Sequence, residues 1–140
     1  MWCFTGFSKR AVACICRLEI TCKGKEVELP DGYHFPDKDG HQRREIRTKW
    51  WKNPVGQSFQ AMSVVPDLGL DHLPFSGTDT GYYPPEERPV FFGHYWLQGS
   101  PQLLTPNACC LDYSVAKGGV LTAYRFAGAE VLSAGELVWV

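Results

Sequence analysis

Hydrophobic residues in this chain fall into short runs that predict strands rather than long helices. Val90, Phe91 and Phe92 form one such run, which predicts a short buried strand. Gly93 follows, and glycine lets the backbone turn sharply because it has no side chain. His94 is therefore predicted to lie at the carboxyl end of a strand, where α/β proteins tend to place ligand and metal chemistry.

The carboxyl-terminal third of the chain carries most of the other regular elements. Strands are predicted over residues 107–113, 120–126 and 136–140. A Lys117-Gly118-Gly119 turn precedes the second of these strands, and residues 127–130 form a hairpin-like connector after it. Strands at this spacing indicate an antiparallel or mixed sheet.

The rest of the chain is predicted to be rich in loops. Residues 25–29 alternate polar and apolar, which indicates a half-buried strand, and residues 33–35 suggest another brief one. Turns are predicted at Pro30-Asp31-Gly32 and at residues 37–40. Residues 43–51 fit either a helical turn or an extended segment. Between residues 53 and 89, six prolines and several glycines argue against any element longer than a turn or two.

Length, net charge and the lengths of the apolar runs limit the classes of protein to which this chain can belong. The chain has 140 residues, enough for one domain with a core. Its formal charge of −1 at pH 7 gives no global field towards nucleic acid or an anionic membrane. No run approaches the roughly 18 apolar residues that a membrane span needs. We therefore expect a soluble, cytoplasmic protein with no nucleic-acid or membrane partner.

Residues 1–22 form an atypical amino-terminal segment. Lys9 and Arg10 interrupt its apolar character and no cleavage site follows, so no signal peptide is predicted. Four of the six cysteines lie there, in a spacing that matches no standard zinc pattern. Cys109 and Cys110 lie inside a predicted strand and are expected to act as small buried hydrophobes. Reduced thiols agree with a cytosolic setting.

A family resemblance rests on the order of several motifs. These are Phe91 to Trp96, a Gly/Pro loop, and then Ala108 to Phe126, which contains Leu111-Asp112-Tyr113 and the Gly118-Gly119 turn. Together they resemble the carboxyl-terminal end of a calcineurin-like metallophosphoesterase. The closest branch is the bacterial one with serine/threonine-type phosphatases and symmetrical diadenosine tetraphosphatase. Residues 23–51 also resemble an insert of some bacterial members, so the likeness covers residues 23–140.

The resemblance implies a fold and a chemistry. The fold is of the α+β class: the carboxyl-terminal part of an α/β/β/α sandwich, made mostly of strands and long loops. The family holds two divalent ions, such as Mn²⁺, Fe or Zn²⁺, which clamp phosphoryl oxygens and activate water. His94 matches a metal-ligand position, and Trp96 stands where other branches carry a second histidine. Asp112 resembles a residue that orients a neighbour, and Tyr113 resembles either a substrate-rim aromatic or a structural residue.

The other metal motifs of the family are missing upstream. They are Asp-x-His, Gly-Asp-x-x-Asp-Arg-Gly and Gly-Asn-His-Glu; the nearest approach, Asp37, Asp39 and His41, follows no buried strand and is predicted to be a solvated turn. His34 and His72 are expected at the surface. We therefore expect a fragment of a phosphoesterase domain that is inactive alone, and a truncated or frame-shifted reading frame would account for residues 1–22.

Two classes of function are compatible with these features. The first is a hydrolase by lineage, with a phosphorylated small molecule or a phosphoprotein as its substrate. The second is a non-catalytic binding module that uses the Pro-rich loop and exposed aromatic residues, namely Trp50, Trp51, Tyr82 and Tyr83. A half-sandwich would also leave an apolar sheet face uncovered, which predicts association through that face.

Overall fold

The computed structural model describes residues 23–37, 39–77 and 81–140, so the segment 1–22 and its four cysteines lie outside the described residues. The described part consists of short strands and loops with little helix, which is compatible with the α+β class. Its strands form four small sheets. The antiparallel or mixed sheet expected of the carboxyl-terminal strands is divided into a parallel pair and an antiparallel sheet of three strands. No helix in the described part of the chain is long and apolar enough to cross a membrane.

The first two sheets are antiparallel pairs from the charged part of the chain. Strand β1 (Glu26–Glu28) pairs with β4 (Glu45–Arg47), and β2 (Phe35–Pro36) pairs with β3 (Gln42–Arg43). The predicted alternation of residues 25–29 is confirmed, with Val27 turned inward between two exposed glutamates. Residues 45–47 form a strand. Of the two alternatives for residues 43–51, a helical turn or an extended segment, the extended segment is therefore the correct one. The second brief strand begins at Phe35, not at residue 33.

Turn chemistry explains how these pairs close. The Tyr33 N–H donates to the Pro30 carbonyl oxygen at 3.1 Å, and Gly32 has a φ of +88°, as predicted for this turn. Helix α1 (Phe59–Met62) is a single turn, capped by the Ser58 hydroxyl, which accepts from the Ala61 N–H. For residues 53–89 no element longer than a turn or two was predicted. The described parts of that segment, 53–77 and 81–89, agree with this prediction.

A parallel pair of strands lies between two cores. Strand β5 (Val90–Phe92) pairs in parallel with β6 (Ala108–Cys110). Neighbouring residues of a strand point to opposite faces, so Cys110 packs with Trp51 and Tyr95 on one side, while Cys109 packs with Leu132 and Leu137 on the other. This explains why Cys109 and Cys110 are both fully buried, as expected of small hydrophobes. Strand β5 itself is only half-buried.

The last sheet has three antiparallel strands, β7 (Asp112–Tyr113), β8 (Val120–Tyr124) and β9 (Leu137–Trp139). The prediction of one strand over residues 107–113 is wrong, because the chain changes partner at Leu111. Its N–H donates to the Phe92 carbonyl oxygen at 2.8 Å, and the chain then leaves β5 to pair with β8. The predicted strands at 120–126 and 136–140 are present but shorter. A connector that contains residues 127–130 joins them.

Candidate functional site

His94 and Asp112 meet at the carboxyl edge of the parallel pair. Strands β5 and β6 run in the same direction, so the segments that follow them leave from the same edge of the sheet. The Leu97 N–H donates to the Asp112 carbonyl oxygen at 3.0 Å, which ties the segment after His94 to β7. The sequence-based placement of His94 at a strand end is therefore confirmed.

The Asp112 carboxylate organises the backbone around His94. Its Oδ2 accepts the Trp96 N–H at 3.2 Å, and its Oδ1 accepts the Ser114 N–H at 3.2 Å. Each carboxylate oxygen thus holds a backbone amide from a different segment. Asp112 therefore orders the loop that carries His94.

Backbone strain is concentrated around His94 and Asp112. In the described residues, four non-glycine residues have a positive φ, and three of them are His94 (71°), Trp96 (50°) and Ser114 (59°). Gly93 has no positive φ, so the sharp turn falls on His94 and not on the glycine as predicted. A left-handed backbone costs an L-residue about 1–2 kcal/mol. Strain of this kind persists where surrounding contacts enforce it, and it clusters at functional sites.

The Arg47 side chain extends from strand β4 to the loop that carries His94. Its Nη1 lies 3.5 Å from the His94 carbonyl oxygen, a long hydrogen bond, and its Nη2 donates to Glu26 Oε1 at 3.2 Å. The guanidinium also lies 5.9 Å from the centre of the Tyr95 ring. Its Nε is buried and has no hydrogen-bond partner. Buried donors are normally paired, so the Arg47 Nε–H is an unusual unused donor beside His94.

The electrostatic surroundings keep the His94 imidazole neutral. His94 is exposed, but a partial loss of hydration still lowers its pKa, and the positive charges of Arg47 and Lys23 lower it further. The carboxylates of Asp112 and Glu26 oppose this shift without reversing it. A neutral imidazole has a free lone pair at pH 7, which is the form that binds a metal ion or accepts a proton.

His94, Arg47 and Glu26 line an open groove of about 1040 Å³. Strands β1, β3 and β4 contribute charged side chains to it, and residues 64–66, 94–96 and 98 also line it. Trp96 lies on its rim, with its ring 6.3 Å from the His94 ring and the Lys117 ammonium group 3.7 Å from its ring centre. The groove therefore joins a neutral imidazole, a guanidinium and an aromatic surface.

Tyr113, the residue after Asp112 in strand β7, is buried. Its hydroxyl accepts the Gln102 N–H at 3.0 Å and lies 3.4 Å from the Gln102 carbonyl oxygen. Burial raises the pKa of Tyr113. A buried hydroxyl bonded to backbone is the arrangement expected of the structural alternative for this residue.

The other candidate histidines and carboxylates lie in exposed turns. The Asp37 carboxylate accepts the N–H groups of Asp39 and His41 at 2.9 Å each and the Arg43 Nε–H at 2.8 Å. Partial loss of hydration opposes them, but these hydrogen bonds and the Arg43 charge lower the pKa of Asp37 to about 2. The predicted solvated turn is confirmed, and His34 and His72 are exposed as expected.

The residues around His94 do not complete the two-metal centre that the resemblance implies. Both oxygens of the nearby Asp112 carboxylate are used by backbone amides. Across the described ranges, no group of three or more His, Cys, Asp and Glu side chains is placed to hold a metal ion. His94 thus remains a single candidate ligand.

The aromatic residues expected to form an exposed recognition surface are largely internal. Trp51 is buried, and Trp50, Tyr82 and Tyr83 are partly buried. Trp50 packs against Trp51, Tyr83 and Phe92 with ring centres 4.7–6.0 Å apart. Aromatic rings bury large apolar areas, so the core recruited side chains that the sequence placed at the surface.

Sequence reasoning missed Arg47. It is 47 residues away from His94 along the chain, and only the pairing of β1 with β4 and the loop after β5 bring the two together. The opposite charges of Glu26 and Arg47 were one signal that their strands pair, because oppositely charged residues favour cross-strand pairing. Nothing in the sequence around either residue indicated the approach to His94.

Comparison of the chain with protein-family models, with curated proteins and with solved structures finds no match.

Proposed function

We propose that the chain is the carboxyl-terminal part of a calcineurin-like metallophosphoesterase sandwich and that its His94 groove binds a phosphoryl group. The observation that carries the proposal is the strained His94 loop at the carboxyl edge of two parallel strands, held by Asp112 and faced by Arg47. Guanidinium groups bind phosphoryl oxygens through paired N–H donors. A neutral imidazole beside one can donate to a phosphoryl oxygen or bind a divalent ion.

Hydrolysis needs more than the described residues provide. A two-metal mechanism requires ligands on both ions, and His94 supplies one. We therefore propose that this chain alone binds phosphoryl groups without turnover and that a second polypeptide supplies the remaining ligands for Mn²⁺, Fe or Zn²⁺. The substrate would be a phosphorylated small molecule or a phosphoprotein, and the setting would be cytoplasmic.

Binding and turnover are tested separately. Inorganic phosphate is titrated into ¹⁵N-labelled chain, and the signals of the Arg47 Nε–H and the His94 ring are expected to shift together. Arg47→Gln is expected to weaken binding by about tenfold to a hundredfold, because a charge-assisted hydrogen bond contributes roughly 1.5–3 kcal/mol. Arg44→Gln is the matched control, since Arg44 lines the groove but pairs with Asp31.

Turnover is measured with p-nitrophenyl phosphate and Mn²⁺ on the wild-type chain, His94→Ala and His72→Ala. Absence of turnover together with phosphate binding supports the proposal. Metal-dependent turnover that is lost in His94→Ala and kept in His72→Ala supports the lineage but contradicts inactivity alone. Absence of phosphate shifts at Arg47 and His94 contradicts the binding site itself.

A further inference from the structure

A second cavity lies under the connection between β8 and β9 and shares no lining residue with the His94 groove. Its volume is about 430 Å³, within the range of roughly 300–1,000 Å³ that is typical of small-ligand sites. Residues 124–127, 129, 131, 133 and 136 line it. It is independent of the proposed phosphoryl site.

The cavity exists because the connector is fixed at one point and arches before it. The Leu132 N–H donates to the Pro106 carbonyl oxygen at 2.8 Å, and Leu132 is buried in the core beside Cys109. The Ser133 N–H donates to the Tyr124 hydroxyl at 2.8 Å. Ala127 and Ala129 line the arch with methyl groups. Such small side chains leave the space beneath the arch unfilled.

One wall of the cavity is a supported aromatic surface. Phe91 packs against Tyr124 and Phe126, with ring centres 5.1 and 5.3 Å apart, which holds both rings from behind. Phe126 is nevertheless 50% exposed and Val131 is 65% exposed. Large apolar side chains that stay exposed while lining one cavity indicate a place for an apolar ligand.

An ion pair gives the cavity one polar edge. Arg125 Nε lies 3.2 Å from Glu136 Oε2, and Arg125 Nη2 donates to the Gly135 carbonyl oxygen at 3.2 Å. The pair has no net charge but offers both donors and acceptors. A charged ligand would meet one opposite and one like charge there and could bond to only one partner, whereas a neutral group that both donates and accepts can use both partners.

We propose that this cavity binds a small neutral ligand: a planar aromatic ring that carries an amide-type group. The ring lies between Phe126 and Val131. The amide accepts from Arg125 and donates to Glu136.

Benzamide is the probe for this site, titrated into ¹⁵N-labelled full-length chain. The expected result is a set of saturable shifts confined to residues 124–136. Benzoate and benzylamine are expected to bind about fivefold more weakly, since each can bond to only one member of the ion pair, competes with the other member for it, and is repelled by that other member. Tighter binding of either charged probe, or shifts spread over the whole surface, would overturn the proposal.

A filling variant separates the cavity from general surface binding. Ala129→Phe places a ring in the cavity and is expected to abolish the benzamide shifts. Ala116→Phe adds the same ring at an exposed position that does not line the cavity and is expected to leave them unchanged. Both positions are exposed, so both variants are expected to fold, which circular dichroism checks. Wild-type affinity in Ala129→Phe would overturn the site.

Discussion

His94 keeps an uncharged ring because its surroundings disfavour the imidazolium form. Partial loss of hydration is the largest cause, and the Arg47 and Lys23 charges add to it. The folded chain therefore binds a proton at His94 less readily than the unfolded chain does. By linkage, this residue lowers the free energy of unfolding as the pH falls below the ordinary histidine pKa of about 6.5.

The Arg47→Gln variant tests this electrostatic arrangement. Removing the positive charge stabilises the imidazolium, so the pKa of His94 is expected to rise towards its ordinary value while staying lowered by the partial loss of hydration. The midpoint of the His94 ring signals in an NMR pH titration measures it. Arg44→Gln is the control, because Arg44 is not among the charges that shift His94. Equal midpoints in the wild type and Arg47→Gln would contradict the role of Arg47.

At the scale of elements, the connection between β7 and β8 depends on close backbone approach. Residues 115–117 form a 3₁₀ turn, Gly118 has a φ of +82°, and Gly119 lies directly against the backbone of Tyr113 and Ser114. A Cβ on Gly119 would overlap the Tyr113 carbonyl oxygen. The sequence predicted the turn but not this constraint, because the constraint comes from the paired strand.

Gly119→Ala is expected to lower the free energy of unfolding by about 1–3 kcal/mol, since the backbone must shift to admit the methyl group. Gly135→Ala is the matched control: a Cβ there meets only the Ser133 hydroxyl at 3.7 Å, and the residue lies in a 3₁₀ turn. Urea unfolding of both variants makes the measurement. An equal loss in the two would show that overlap with Tyr113 is not the cause.

The elements that the sequence predicted well are those whose causes are local. The Pro30-Asp31-Gly32 turn follows from the φ preferences of proline and glycine, and Val90–Phe92 follows from an apolar run. The break at Leu111 was missed because it depends on which strand each half pairs with. Trp51 was misplaced because its burial needs Phe92 and Tyr95, which are distant in sequence.

In the candidate site, too, the features with local causes could be predicted from the sequence and the long-range contacts could not. His94 at a strand end is a local inference, and Asp112 was found through the resemblance. Their meeting depends on the parallel register of β5 and β6, and Arg47 arrives from a separate sheet. A single sequence carries the residue types of such a site but not the long-range pairing that assembles them.

At the scale of the whole molecule, the last sheet buries one face and exposes the other. Tyr113, Thr122 and Leu137 lie on the inner face and are buried. Residues directly opposite in an antiparallel pair share a face, so Ala123 and Val138 lie together on the outer one. Leu121 and Val140 exchange backbone hydrogen bonds and extend the same face. Leu121 is 59%, Val138 41% and Val140 89% exposed.

An apolar face of this kind is expected to promote association at high protein concentration, and this remains a prediction, as it was for the uncovered sheet face expected from the sequence. Val138→Lys places a charge on this face opposite Ala123, and it is expected to shift sedimentation-velocity profiles towards monomer at concentrations where the wild type associates. Val55→Lys is the matched control: Val55 is 81% exposed but lies outside the sheet, so the same added charge leaves the face intact. If both variants reduced association equally, net charge and not this face would be responsible. If the wild type remained monomeric throughout, the face would not drive association.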